Sequence, residues 1–341
     1  MSPDTEAALP ASIPPQVTEF IRDHFGAAGG GCRATPLAGD ASTRRYFRLA
    51  APGGESFILA LYPEPFDPEK LTYRQVYTLL RGIDVPVPEA YIFDAALGIV
   101  LQQDLGDESL QKRLDAASAS EREALLRQAI DLIVRIQRDG AARCDPRWEA
   151  GRLAFDSEKL SFELDFFFQH YLGGHRGLRH ESAARAALYK EFDALSHGLA
   201  AAPRVLAHRD YHCRNILVTG SRLYVIDFQD ARMGPASYDL VSLLKDSIDL
   251  SESEIDQWVR EFLSRDHSAG RDAANFLRQF ELMSVQRMLK ALGTYGYQIS
   301  VRGNPVYRKY LAGTIRRAYR SALRLQEFPA IEKMLEREMQ G

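Results

Sequence analysis

One eight-residue run constrains the fold of this chain more than any other: His208-Arg209-Asp210-Tyr211-His212-Cys213-Arg214-Asn215. Two short β-like runs follow, Ile216-Leu217-Val218 and Leu223-Tyr224-Val225-Ile226, joined by Thr219-Gly220-Ser221. Asp227-Phe228 comes directly after them. A hairpin of that length returns Asp227 to the neighbourhood of Asp210 and Asn215. A carboxylate, an amide oxygen and a second carboxylate then share one site. Asp210 is placed to take a proton from a hydroxyl, while Asn215 and Asp227 offer the hard oxygens that magnesium prefers. Asp and Asn also favour turns for their own sake. Three fitting residue types at fitting spacing around one hairpin weigh against that plainer account.

The chain has 341 residues, beyond the size at which single cores usually divide, so two lobes are expected. A formal net charge of −3 offers no global field for nucleic acid or an anionic membrane. The three cysteines, Cys32, Cys144 and Cys213, are far apart and form no C-x-x-C pair, which fits a reducing cytoplasmic setting and gives no zinc signature. No apolar stretch reaches the length of a membrane span, and the Pro/Ala-rich start lacks the pattern of a signal peptide. Residues 1–15 are expected to be a disordered tail.

A helix is expected around Val17 to Phe25. The runs Arg45–Leu49 and Ser56–Tyr62 flank Pro52-Gly53-Gly54 as a hairpin. Asp67-Pro68 is expected to cap and open a helix whose buried stripe is Tyr73, Val76, Tyr77 and Leu80. Strands follow around Ala90–Phe93 and Gly98–Leu101. The character changes at Asp104: β-rich before it, helical after it. This predicts an N-lobe over 16–104 and a C-lobe over 105–341. In the second part, Ser120 and Glu123 read as a capping box, and Leu125, Ala129, Leu132, Ile133 and Ile136 as one helical stripe. Leu188, Phe192, Leu195 and Leu199 form another stripe. Apart from the hairpin, the rest reads as helix to the end. Gly29-Gly30-Gly31 lacks a Gly-Lys-Ser/Thr ending, so it reads as a connector rather than a P-loop.

The H-x-D-x-x-x-x-N run, the hairpin and Ile226-Asp227-Phe228 match the catalytic core of kinase-fold enzymes. The chain resembles the aminoglycoside phosphotransferase-like superfamily, and within it the anomeric N-acetylmuramate/N-acetylglucosamine kinases of bacterial cell-wall recycling. The narrower resemblance rests on Gly39–Arg48, Asp104-Leu105-Gly106, Glu163–Phe167, Val225–Ala231 with Gly234-Pro235, Tyr238-Asp239, and Gln286–Lys290 with Gly293. It implies an α+β, bilobal protein-kinase-like fold with ATP and Mg2+, and a small-molecule sugar as partner. Nothing points to an obligate protein partner. Asp210 becomes the catalytic base, with Asn215 and Asp227 as metal ligands. Ser42, Thr43, Arg44 and Arg45 sit where kinases carry a phosphate loop. Gln103, Asp104 and Leu105 would meet adenine through their backbone. Gln229, where many kinases have glycine, implies a metal ligand held in place.

The chain departs from the kinase pattern at one point. The usual strand lysine would fall within Phe57–Leu61 and its glutamate near Tyr73–Gln75, and neither is present. An arginine after the phosphate loop is the replacement expected, with Arg45 preferred over Arg44. For the acceptor, Glu163, His212, Arg214, Arg287 and Lys290 are the candidates. Arg287 and Lys290 lie three apart on one helix and would suit an anionic sugar. Two alternatives stand beside the sugar 1-kinase. One is a kinase of another small-molecule hydroxyl, such as an aminoglycoside, an amino alcohol or another sugar. The other is a nucleotide-binding pseudokinase.

Overall fold

The computed structural model describes residues 13–26, 31–37, 43–178, 182–265 and 272–340. Gly29 and Gly30 of the connector, Ser42, and most of the expected tail lie outside these residues.

A five-stranded antiparallel sheet forms the first part. It consists of β1 (Arg33–Leu37), β2 (Arg45–Ala50), β3 (Ser56–Leu61), β4 (Ala90–Asp94) and β5 (Ile99–Gln103), in the order β1-β2-β3-β5-β4. The β2–β3 hairpin turns through Gly53 and Gly54, both at positive φ (107° and 92°), a conformation that glycine adopts without a Cβ penalty. Alternation then decides the two faces. Phe47, Leu49, Leu59, Leu61, Ile99 and Leu101 pack beneath helix α1 (Pro15–Phe25), which supplies Val17, Phe20 and Ile21. Ala60 and Val100 point the other way, against helix α2 (Thr72–Gly82) with its Tyr73, Val76 and Leu80.

Two expected helix starts move. Asp67-Pro68 makes a turn in which the Asp67 carboxylate accepts from the Glu69 N–H at 3.0 Å. Helix α2 opens later, at Thr72, after Leu71. The capping position after α3 (Leu110–Ala116) is Ser118, two residues before the expected one. Its hydroxyl accepts from the Glu121 N–H at 3.3 Å and opens α4 (Ala119–Arg135). Glu123 pairs with Arg127 at 2.6 Å instead. The stripe from Leu125 to Ile136 is buried as its period demands.

Beyond Gln103 the chain is mainly helical. Helix α4 runs on as a π-helical turn, Ile136–Gly140, followed by the short pieces α5 (Ala141–Arg143) and α6 (Glu149–Arg152). Helix α7 (Ser157–Phe167) continues as π-helix through His175. Helices α8 (Ser182–Ala200), α9 (Ser237–Lys245), α10 (Glu252–Arg265), α11 (Ala273–Ser300), α12 (Arg308–Leu325) and α13 (Pro329–Gln340) complete the layer. Helix α11 crosses α7 at bare backbone: a Cβ on Gly293 would meet the Phe167 Cα at 2.7 Å.

Two ribbons carry the chemistry-bearing segment. One is the expected hairpin, β7 (Ile216–Thr219) with β8 (Arg222–Val225). The other pairs β6 (Arg204–Ala207) with β9 (Arg232–Pro235), neither of which sequence patterning marked as a strand. The expectation of helix from the hairpin onward fails at Arg232–Pro235. Only the long-range pairing makes Arg232–Pro235 a strand.

Candidate active site

The catalytic loop hangs between these ribbons. Strand β6 ends at Ala207, and the next two backbone N–H groups, of His208 and Arg209, donate to the Asp239 carboxylate at 2.7 and 3.0 Å. Asp239 sits in the first turn of α9 and is fully buried. Its grip holds Arg209 at φ 84°, a left-handed conformation that a non-glycine residue does not keep unaided. His208 closes the loop from the other side. Its Nδ1 accepts from the Asp210 N–H at 3.3 Å and its Nε2 faces the Ile226 carbonyl at 3.0 Å, which assigns the proton to Nε2.

Asn215 donates its amide to the Asp210 carbonyl at 3.0 Å and faces the Asp227 carboxylate at 3.4 Å. Its nitrogen is thus committed, which leaves Oδ1 for a cation. Asp227, at φ 61°, presents a carboxylate that is 43% exposed. Gln229 donates to that carboxylate at 2.8 Å, and the Arg44 guanidinium lies 3.5 Å away. This donor set fits magnesium: two hard oxygens side by side, with the remaining positions open to phosphate and water.

Burial alone would raise the pKa of Asp210. Lys290, Arg209 and Arg287 outweigh it and hold the carboxyl below its ordinary value. The Asp210 carboxylate is therefore ionised at neutral pH. Burial and then Arg214 push His212 down, so its imidazole is neutral there.

Several candidates sit where a direct contact requires, and others do not. Glu163, on α7, is buried. Gln286 donates to it at 2.8 Å, and Lys290 and Lys159 each approach one of its oxygens at 3.6 Å. Lys290 also donates to the Tyr238 hydroxyl at 3.2 Å. Arg287 moves furthest from expectation. It lies behind the catalytic loop, donating to the Arg209 carbonyl at 3.0 Å and pairing with Asp246, with its guanidinium 4.5 Å from the Tyr238 ring centre. Its charge is spent on the fold, not offered to an acceptor. Arg214 is exposed and His212 half-buried beside it.

On the nucleotide side, Thr43 and Arg45 are exposed. The preference between the two arginines reverses. Arg45 lies over Phe47, on the α1 face of the sheet, with its guanidinium 5.3 Å from the ring centre. Arg44 reaches Asp227 between Tyr46 and Tyr62, and its field joins that of the tyrosines. Among the connecting residues, Gln103 pairs backbone to backbone with Glu89 (2.8 Å), and the Leu105 carbonyl accepts from Thr219 (3.1 Å). The Asp104 carboxylate is taken by Arg48 through two bonds of 2.7 and 3.1 Å. Arg48 was not marked in the sequence. It reads there as one more strand cation, and only its partners 56 and 59 residues away reveal the clamp.

Two further cations act on Glu163: Lys159 at 3.6 Å, and Arg232 through its field. The sequence signal for Arg232 was a cation directly after Gln229-Asp230-Ala231.

The profile of the Phosphotransferase enzyme family matches residues 33–290. The chain belongs to this family. This phosphotransferase is 32% identical over 281 residues to an N-acetylmuramate/N-acetylglucosamine kinase of Neisseria meningitidis serogroup B, a match covering 80% of this chain and 81% of that protein. It is 30% identical over 297 residues to the enzyme of the same name from Pseudomonas putida, covering 86% and 84%. Its fold is similar to that in the gentamicin–APH(2″)-IIa complex (TM-score 0.62, 12% identity, 94% of this chain and 99% of that one). It is also similar to a choline/ethanolamine kinase family protein from Mesorhizobium loti (TM-score 0.56, 17% identity, 96% and 100%). The phosphotransferase thus has the bilobal, α+β protein-kinase-like fold. Among the described residues, no helix is long and apolar enough to cross a membrane.

Proposed function

We propose that this phosphotransferase is an ATP-dependent amino-sugar kinase that phosphorylates the anomeric hydroxyl of N-acetylmuramate or N-acetylglucosamine. The observation that carries the reading is the convergence of Asp210, Asn215 and Asp227 in one cleft, in a chain whose relatives bear that name.

Asp210 orients the sugar hydroxyl and takes its proton as the new O–P bond forms. The bond from the γ-phosphorus to the bridging oxygen breaks, and ADP leaves with the electron pair. An anomeric hydroxyl is more acidic than an ordinary alcohol, so an ionised carboxylate of low pKa suffices as the base. Asn215 and Asp227 would hold magnesium, which supplies charge neutralisation for the phosphate oxygens. Arg44 meets the phosphates from the N-terminal sheet, in place of the strand lysine, together with Ser42 and Thr43. The backbone of Gln103–Leu105 meets adenine. Glu163 accepts from sugar hydroxyls, with Lys290 beside it.

A polycationic acceptor fits this wall poorly. Lys159, Arg209, Arg232 and Lys290 face Glu163 and Asp210 from several sides. That field repels an aminoglycoside and favours a neutral or acidic sugar.

Phosphorus NMR of the protein with ATP, magnesium and each sugar tests the reading, with Asp210→Ala as control. The expected result is a sugar 1-phosphate resonance coupled to the anomeric proton, absent in the control. ATP binding without turnover of either sugar would overturn it.

A further inference from the structure

Arg232 is a cation of the acceptor wall to which the chemistry above assigns no step. It opens β9, and its backbone pairs opposite Ala207. Only His208 and Arg209 separate Ala207 from Asp210, a stretch of at most about 10 Å. Its side chain is half-buried and fixed at both ends: Nε donates to the Asp230 carbonyl at 3.3 Å, and the guanidinium lies 5.4 Å from the ring centre of the fully buried Phe155. Phe155 in turn stacks on Tyr238 at 4.0 Å, whose hydroxyl accepts from Lys290. The guanidinium is thus tied to the same packed unit that carries the Glu163–Lys290 pair.

Its charge has no acid of its own. Lys159 and Lys290 share one oxygen of Glu163. Arg209 takes Asp230 at 3.3 Å and lies 4.0 Å from Asp210. Among the described residues, no carboxylate lies within ion-pair distance of Arg232. Burial, and then Arg209, push its pKa down, as for a desolvated cation among cations. An unpaired, partly buried charge is costly unless a ligand supplies the counter-charge. Phosphate is not the obvious one. The cation beside the proposed metal ligands is Arg44, whereas Arg232 shares its surroundings with Glu163 and Lys159.

We propose that Arg232 is the specificity residue of the acceptor site, receiving the carboxylate of an acidic amino sugar while Asp210 faces its anomeric hydroxyl. This rests on the amino-sugar kinase reading. A guanidinium anchored beside an aromatic ring presents parallel N–H groups that match a carboxylate in a bidentate pair. N-acetylmuramate has such a group and N-acetylglucosamine has none, so Arg232 sets the preference between them.

The test is steady-state kinetics of the full chain on both sugars, for the wild type, Arg232→Gln and Arg232→Lys. In Arg232→Gln, the ratio of kcat/KM for N-acetylmuramate to that for N-acetylglucosamine is expected to fall about 10- to 100-fold, the size of a lost charge-assisted pair. The loss should sit in the KM of the acidic sugar, and Arg232→Lys should recover part of it. Turnover of the neutral sugar shows that a variant is folded. Should Arg232→Gln be inactive on both, the ratio in Arg232→Ala, which also removes the charge, decides. A ratio within twofold of wild type would overturn the proposal and leave the kinase reading standing. A wild-type enzyme inactive on both sugars would overturn the reading itself.

Discussion

Asp210 works in a field rather than as an isolated carboxylate. Burial favours its neutral form, and Lys290, Arg209 and Arg287 reverse that preference. Each of those cations is itself anchored: Lys290 on Glu163 and Tyr238, Arg209 on Asp230, Arg287 on Asp246. The Asp210 pKa is therefore set by cations that the fold itself holds in place. Removing one of them has a definite sign. A base must be ionised to act, so the rate falls as pH drops through its pKa. Lys290→Met removes a stabilising cation and raises that pKa, and the acidic limb of the kcat/KM profile should move to higher pH. A pH–rate profile of the variant beside the wild type measures this directly. An unmoved limb would mean that Lys290 acts only through substrate contact. Arg287 shows why this layer was hidden in the sequence. Spacing placed it on one helical face with Lys290, as it does, but could not show that Asp246, 41 residues earlier, already holds its charge.

At the scale of elements, strand alternation decides which arginine faces the cleft. Arg44 and Tyr46 share the cleft face, while Arg45 and Phe47 share the α1 face. Sequence reasoning preferred Arg45, because a one-residue difference changes the face only once the strand register is known. The register is fixed by Tyr46 opposite Ala60 and Arg45 opposite Leu61. Ala60 in turn stands opposite Val100. A small side chain thus occupies the face where a strand lysine would project, and Arg44 enters from the neighbouring strand. Arg44→Ala should raise the KM for ATP and lower kcat/KM by about 10- to 100-fold, the cost of one charged phosphate contact. Arg45→Ala should change either constant by less than about threefold, as an exposed strand cation would. ATP-dependent kinetics on both variants check this, and equal losses would return Arg45 to the site. The helices were legible where the period was strong, as in α4 and α8. The starts of α2 and α4 were not, since each lay among several residues able to cap. Strands β6 and β9 left no local signal because each is four residues long and pairs across the intervening loop and hairpin, as Ala207 does with Arg232.

The whole molecule ties the N-terminal sheet to the metal-binding segment at several points. Phe228, next to Asp227, stacks on Tyr73 of α2 at 5.0 Å. The Val225 N–H donates to the Pro86 carbonyl at 2.8 Å, and Thr219 reaches Leu105. Arg48 clamps the connector through Asp104 and Asp107. The ion pair between Arg44 and Asp227 crosses the cleft itself. A ligand that bridges those two residues therefore binds both parts of the fold at once, and MgATP, with a phosphate for Arg44 and a cation for Asp227, meets both charges. Folding stability should report that requirement through linkage. ATP with magnesium, at about 100 times its Kd, should stabilise the protein by about 2.7 kcal/mol. ATP with a chelator should give much less at the same concentration, and Asp227→Asn should lose the magnesium-dependent increment while keeping the remainder. Urea unfolding under the three conditions measures each increment. Equal stabilisation with and without magnesium would mean that the nucleotide is held by adenine and Arg44 alone, and that Asn215 and Asp227 do not form the metal site assigned to them.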